Sequence, residues 1–548
     1  MPADTPSSHR PGFSGLFFDD FHHDSAWIRE EGRIRLPALG SAASLRVEGQ
    51  AITHCGTGFL DSSFPGLDLL MEGRLVARVN PSEDGRWHAE FALPVSKGAA
   101  NRTLVLRLRG VTLANTLAWF GRVSGLGFAA RYRNQNRNRQ IRIQTISTGS
   151  GERVCDFAGR HAPFQRDFMR STLHAGINVV GFITAELGVA ESARCMLRAA
   201  DAVSLPAVPV PLRLHCKNPS GDDSFSARLS DTNPHPVNIF HIDPPVSRDI
   251  DHHHGKGFRK DRYNIGYWAW ELPDFPDAWN DAFNYYDEIW CPSDFVREAV
   301  SMKSPLPVLT MPHAITLTPP AGDGRARFGL PRDRFLFLFL YDLNSYSERK
   351  NPRAVLQAFR ESGLSEQGAS VVIKVHNVHG NEADFDTLRA SIGDLPGSVL
   401  ISETLSRPDI TLLESTCDVF VSLHRSEGFG LSVAECMFLG KPVIATDWSA
   451  TAEYLDDTCG CPVRCNIVPL ERSHGPYGGG SRWAQPDVSH AAWWMRRLFA
   501  DAALREKLGV AAHQRMVSRF SPLVIGGRYR QRLEEILLFG SGNRQSSE

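Results

Sequence analysis

The sequence predicts two doubly wound α/β halves facing a cleft, preceded by an all-β sandwich, and three observations carry that expectation. Up to about residue 170, apolar and polar residues alternate at period two, as half-buried strands do. Beyond it, short buried-strand runs alternate with helical periodicity, the signature of parallel α/β construction. Pro319-Pro320-Ala321-Gly322-Asp323-Gly324 then reads as a linker between two such series. The domains are therefore expected at 1–168, 169–324 and 325–548, in keeping with roughly 150 residues per domain.

In the first domain, HAEFAL sets Ala89, Phe91 and Leu93 against His88 and Glu90. TLVLRL does the same with Leu104, Leu106 and Leu108, and IRIQT with Ile141 and Ile143. Asn80-Pro81, Glu83-Asp84-Gly85 and Lys97-Gly98 supply the turns. In the second, Asn178–Ile183 is a buried strand, followed by a turn at Gly188 and a helix through Ala200. Val237–Ile242, Tyr263–Trp268 and Glu288–Cys291 read as further strands. In the third, Phe335–Tyr341 (FLFLFLY), Val371–Val375, Val419–Leu423 and Val443–Thr446 form the sheet. Tyr529, Leu533, Ile536 and Leu537 mark one face of a closing helix, and the tail SGNRQSSE is expected to be disordered.

Lys+Arg 60 against Asp+Glu 61, with a pI near 7.1, argues against a nucleic-acid partner, whose domains are normally strongly basic. The polar amino terminus lacks a signal-peptide profile, and no apolar run approaches the roughly 20 residues of a membrane span. A cytoplasmic enzyme with reduced, structural cysteines is expected. Arg131–Arg142 (RYRNQNRNRQIR) offers peripheral contact with an anionic membrane surface or a charged glycan, although such runs are ordinarily solvated connectors.

The chemistry gathers in Ser426–Glu435, SEGFGLSVAE, followed by GKPVIAT. Val419–Leu423 is a buried strand, so Gly428-Phe429-Gly430 is the turn at its carboxyl end and helical periodicity starts at Leu431. Open α/β sheets bind ligands there, and the free N–H groups and dipole of the new helix suit a phosphate or sugar hydroxyls. With Glu427 on the loop and Glu435 a turn into the helix, both carboxylates can point into one cleft. A carboxylate accepts well from vicinal hydroxyls, which ribose and hexose both present. Lys350 and Arg349, in Asp342–Pro352 (DLNSYSERKNP), follow another strand end, where cations can neutralise a diphosphate leaving group. Asn351 and Pro352 suit the N-cap and first position of the next helix.

SEGFGLSVAE resembles the Glu-x7-Glu motif of retaining GT-B glycosyltransferases, most closely glycosyltransferase family 4, over about residues 173–535. The resemblance implies two Rossmann-like domains, with Glu427 contacting the donor sugar and Glu435 the nucleotide ribose. It also implies that the backbone amides of Phe429, Gly430 and Leu431, beside Gly428, hold sugar and diphosphate. Lys350 matches the family's diphosphate lysine, whereas Ser345 stands where an arginine is usual. Arg349 is then the candidate substitute, with Asn344 and Ser345 as further hydrogen-bonding groups. Gly188, in GFITAELGVAESAR, would let a loop approach the diphosphate or the acceptor. Glu271, in GYWAWELPDFP, ends a strand near where many members carry a histidine, and would orient or deprotonate the acceptor hydroxyl. Lys374 is a candidate nucleotide contact.

The resemblance implies transfer of a hexose from a UDP- or GDP-linked sugar to a glycan or lipid-linked glycan during surface polysaccharide synthesis. The nucleotide sugar is a co-substrate, with no cofactor and no metal expected. Asp249-Ile250-Asp251 with His252-His253-His254 has the look of a metal motif but does not close a strand, so no metal is expected there. Cys459, Cys461 and Cys465 lack zinc spacing. A phosphorylase or epimerase of the same fold, and an inactive glycan-binding or scaffold protein, are the competing expectations.

Overall fold

The computed structural model of the chain describes residues 13–18, 26–36, 39, 41–51, 66–94, 102–109, 141–156, 176–216, 218–304 and 306–539. The Lys97-Gly98 turn, residues 131–140 of the basic stretch and the carboxy-terminal tail lie outside them.

The first strands are β1 (Phe13–Phe18), β2 (Ala26–Arg35), β3 (Ser44–Ala51), β4 (Gly66–Met71), β5 (Arg74–Val79), β6 (Arg86–Ala92), β7 (Thr103–Arg109), β8 (Ile141–Thr148) and β9 (Arg153–Asp156). The pairings among them are antiparallel. The period-two reading holds. Ala89, Phe91, Leu104, Leu106, Leu108, Ile141 and Ile143 are buried in one core with Ile34, Val47 and Leu69. The long β2 pairs with both β7 and β8, so it serves both flanks of that core. This region is not a detached sheet, because β1 runs parallel to β15 (Val308–Thr310), the last strand of the next unit.

The first α/β unit contains β10 (Ile177–Gly181), α1 (Gly188–Ala202), β11 (Ala207–Pro211), β12 (Val237–His241), β13 (Tyr263–Tyr267), β14 (Glu288–Cys291), α2 (Asp294–Ser301) and β15. Its parallel order is β11-β10-β12-β13-β14-β15. The second unit contains β16 (Phe335–Asp342), α3 (Ser347–Lys350), α4 (Pro352–Ser362), β17 (Ala369–His376), β18 (Val399–Ile401), α5 (Arg407–Thr416), β19 (Val419–Ser422), α6 (Leu431–Phe438), β20 (Val443–Thr446) and β21 (Cys461–Val463). A hairpin, β22 (Cys465–Pro469) and β23 (Arg482–Pro486), follows, and α7 (Pro522–Phe539) closes the chain. The sheet order β18-β17-β16-β19-β20-β21 is the 3-2-1-4-5-6 arrangement of a Rossmann sheet. Strands such as ASVVIKVH, buried at every residue but the last, are what a parallel sheet covered on both faces requires.

The two units form the GT-B arrangement and are tied at several points. Glu453 of the second accepts from Asp294 N at 3.0 Å and Phe295 N at 2.6 Å, supplying the first turn of α2 with acceptors it lacks internally. Ser293 Oγ donates to Gly428 O at 2.7 Å. The closing helix returns to the first unit. Tyr529 stacks on Trp290 with ring centres 5.5 Å apart, and the Arg532 Nε meets the buried Glu288 Oε1 at 3.0 Å. Among the described residues no helix is long and apolar enough to cross a membrane.

Candidate active site

In a doubly wound sheet, adjacent strands whose connections leave in opposite directions open a crevice at their carboxyl ends. In the second unit that point lies between β16 and β19, which deliver residues 342–350 and 423–431. In the first it lies between β10 and β12, which deliver residues 182–188 and 242–247. All four segments line one cleft of about 1040 Å³ between the units. Each site residue expected from sequence lines it: Glu427, Lys350, Arg349, Glu271, Glu435, Gly428, Phe429, Gly430, Leu431, Ser345, Asn344, Lys374 and Gly188.

Arg349 and Lys350 are not a solvated helix-start pair. Lys350 Nζ lies 2.5 Å from Glu427 Oε1, and Arg349 is buried, with Nη1 3.3 Å from Glu427 Oε2 and 3.0 Å from Ser426 O. Arg349 Nη2 reaches across the cleft to Glu271 Oε1 at 3.7 Å. Burial opposes ionisation of Glu427, but Lys350 and then Arg349 outweigh it and hold the carboxyl down at about 2. Burial also works against the Lys350 ammonium, countered first by Glu427. A carboxylate and two cations thus stand at the strand ends. Ser345 adds no charge. Asn344 Oδ1 is already engaged by Asn381 Nδ2 at 2.9 Å.

The turn after β19 is shaped by its glycines. Gly430 has φ +85°, and a Cβ there would lie 2.7 Å from Thr451 Cγ2. A Cβ on Gly428 would lie 2.9 Å from the Trp270 carbonyl oxygen of the first unit. The Phe429 and Gly430 carbonyls accept from Tyr454 Oη at 2.8 and 3.1 Å, which fixes the loop from behind. The Phe429 ring is core, edge-on to His313 at 4.7 Å. Gly430 provides no side-chain cap for α6, so the first N–H groups of that helix remain for a ligand.

Glu435 is held by Arg407, whose two terminal nitrogens meet its two oxygens, one at 3.3 Å. Arg407 belongs to the site and escaped sequence reading. The signal was available, since Ser406 and Pro408 mark a helix start after β18. Burial disfavours the Arg407 charge, but Glu435 and then Glu191, from across the cleft, raise it. Behind them, burial and the Glu435 charge push the buried Glu414 well up.

On the opposite wall, Gly188 opens α1, and a Cβ there would meet nothing within 4 Å. The surrounding protein places no steric demand on that glycine. Asp243, missed although it directly follows the strand VNIFHI, lines the cleft beside Glu271. Its surface is open to solvent, yet surrounding protein and then the Glu271 charge push its carboxyl up to about 6. Lys374 is buried on the floor, with Nζ donating to Val375 O at 2.5 Å. Burial lowers it to about 8 against the pull of Asp342, Glu403 and Glu186.

Asn351 and Pro352 take the N-cap and first positions of α4, as their residue types suggest, but the Asn351 side chain makes no capping bond. The residue adopts φ 58° and ψ 52°, which reverses the chain between α3 and α4. Its amide instead donates to Leu423 O at 3.0 Å, tying the loop to the end of β19. Asp251, from the Asp/His motif, pairs with Arg259. Among the described residues no three His, Cys, Asp or Glu side chains gather as a metal site.

Residues 324–460 match the family model described as glycosyl transferases, group 1. This segment is about a quarter of the chain. It contains the Lys350–Glu427 pair, Arg349, Lys374, Arg407, Glu435 and the 428–431 turn, whereas Gly188, Asp243 and Glu271 precede it. Among solved structures, the chain is similar to Anabaena Alr3699/HepE in complex with UDP and glucose, at 13% identity, covering 66% of this chain and 100% of that one, with a TM-score of 0.48. It is also similar to a glycosyltransferase from Rickettsia africae, at 11% identity, 67% and 99% coverage and a TM-score of 0.46. Sucrose-phosphate synthase from Thermosynechococcus elongatus follows at 12% identity, 66% and 99% coverage and a TM-score of 0.47. The chain matches no curated protein.

Proposed function

We propose that this protein is a retaining, family 4-type glycosyltransferase that moves a hexose from a UDP- or GDP-linked donor to a glycan or lipid-linked glycan acceptor, in the assembly of a surface polysaccharide at the inner face of the membrane. The observation that carries this reading is the Lys350–Glu427–Arg349 cluster, set at the strand ends where the glycosyltransferase group 1 domain opens onto the cleft.

The donor lies across the 428–431 turn, its ribose hydroxyls on Glu435 and its sugar hydroxyls on Glu427. Breaking the sugar–phosphate bond leaves the bonding electrons on the diphosphate oxygen. Lys350, Arg349 and the α6 N–H groups bind that growing charge more strongly than the ground state. The acceptor hydroxyl, oriented by Glu271, forms the new C–O bond on the face the diphosphate leaves. Its proton passes to the departing phosphate oxygen. No covalent nucleophile is used, and protein cations fill the role a metal would otherwise have. Closure of the units excludes water, which would hydrolyse the donor.

The test is release of nucleoside diphosphate from a panel of nucleotide sugars, with and without oligosaccharide acceptors, in wild type and Glu427→Gln. Acceptor-dependent release that the variant loses supports the reading. Release without acceptor in both proteins, or none in either, contradicts it, the latter pointing to an inactive glycan-binding protein.

A further inference from the structure

We propose that the tip of the β22–β23 hairpin is a clasp that sets the acceptor-side carboxylate Glu271 and the cation Arg349, with Tyr477 as the positioning residue. The proposal rests on the glycosyltransferase reading above.

The root of the hairpin is fixed to the second unit. Ala484 N donates to Arg425 O at 2.9 Å, Arg425 Nη2 donates to Gln485 Oε1 at 3.0 Å, and the guanidinium lies 5.1 Å from the Trp483 ring centre. The tip is a tight turn, His474-Gly475-Pro476-Tyr477, in which His474 and Tyr477 exchange backbone hydrogen bonds of 2.9 and 3.1 Å. An aromatic residue at an exposed loop tip would gain little. Tyr477 is instead 4% exposed and belongs, with Leu470 and Trp483, to the hydrophobic cluster of the first unit around Trp268, Trp270 and Phe275. The hairpin therefore bridges the cleft.

What the phenol touches gives the bridge its role. Tyr477 Oη donates to Glu271 Oε2 at 3.2 Å, over 206 residues of sequence. The Arg349 guanidinium lies 5.8 Å from the Tyr477 ring centre, and the same guanidinium meets Glu271 Oε1. Trp270, next to Glu271, packs on the ring at 5.6 Å. Ser426 Oγ holds the Glu271 backbone carbonyl. Glu271 is thus fixed by its main chain and by both carboxylate oxygens.

The tip also braces the diphosphate loop. Tyr346 sits between Ser345 and Ser347 at φ +64°, a conformation a bulky side chain adopts only when its surroundings hold it. Its ring stands edge-on to Tyr477 at 5.6 Å. Gly475 (φ +56°) lies so close to it that a Cβ would come within 2.0 Å of Tyr346 Oη. One four-residue turn therefore touches both walls of the reaction site.

The charged and titratable groups facing Glu271 are Arg349 and Lys350 from α3, Asp243 after β12 and the Tyr477 phenol. Tyr477→Phe keeps the ring against Arg349, Trp270 and Tyr346 and removes only the hydrogen bond to Glu271. That carboxylate is then less well aimed. The experiment measures transfer by the full chain, kcat and acceptor KM, with nucleotide binding followed by thermal shift. The expected result is a kcat about 10- to 100-fold lower with unchanged nucleotide stabilisation. A variant with wild-type kcat, or one that loses nucleotide stabilisation along with kcat, would overturn the clasp. Should wild type transfer no sugar from any donor, the parent reading fails. Hydrogen exchange over residues 266–276 in Tyr477→Ala then judges the clasp alone. Faster exchange there, at an intact thermal transition, supports it, and unchanged exchange overturns it.

Discussion

Lys350 Nζ and Glu427 Oε1 stand 2.5 Å apart, bringing together the ends of β16 and β19 on the two sides of the crevice. With Arg349 on the other carboxylate oxygen, Glu427 serves as the counter-charge for the buried Arg349 and the half-buried Lys350 and, in the proposed mechanism, also accepts from the donor sugar. Glu427→Gln should therefore cost stability as well as rate. Leaving a buried cation short of a partner costs on the order of 3 kcal/mol, measurable by urea denaturation. A fall in kcat of about 100-fold or more is expected at saturating donor.

Arg407 occupies both oxygens of Glu435, the carboxylate assigned to the ribose. Arg407→Ala leaves Glu435 free to rotate beside the buried Glu414. Nucleotide affinity should fall about tenfold, or about 1.4 kcal/mol, by calorimetric titration, with a smaller change in kcat. An unchanged affinity would remove Arg407 from the donor site.

Asp243 gives a pH test with a definite sign. Its folded-state value is raised to about 6 from 3.8, so between these limits the folded protein binds more protons than the unfolded chain. By linkage, this group lowers stability as pH rises through that window. Asp243→Asn removes the effect. The variant should gain thermal stability over wild type at pH 7.5 more than at pH 4.5. A gain equal at both pH values would mean that the carboxyl is not raised.

Because Lys350, Arg349 and the start of α6 supply the positive charge in the proposed mechanism, transfer should persist in a chelator. Activity within about twofold of control in 5 mM EDTA is the expected outcome, roughly 0.4 kcal/mol in barrier terms. Loss on chelation with recovery on adding a divalent ion would contradict the metal-free assignment.

The sheets were legible in the sequence because their signals are local. FLFLFLY, VNIFHI and EIWC carry their burial in their own composition, and the period-two alternation of HAEFAL and TLVLRL matches the observed core. The Glu427–Glu435 turn was legible because a strand end, a glycine pair and a helix start fall in ten consecutive residues. What was not legible depends on contacts far apart in sequence. Nothing around Gly475 or Tyr477 announces that the loop crosses to Glu271. The continuity of β1 with β15 joins residues nearly 300 apart. Asn351 stands at the N-cap its neighbours suit, but a tertiary bond to Leu423, invisible in the local sequence, claims its side chain.

The central claim, that the cleft holds a nucleotide sugar with its ribose on Glu435, is tested most directly by thermal shift. The panel is UDP, GDP, ADP, CMP and their common sugar conjugates, against wild type and Glu435→Ala. A ligand at about 100 times its Kd stabilises by about 2.7 kcal/mol, roughly 5 °C for a domain of this size. Stabilisation by one nucleotide family, lost in Glu435→Ala, is the expected result. No shift with any nucleotide, or an equal shift in the variant, would contradict the claim.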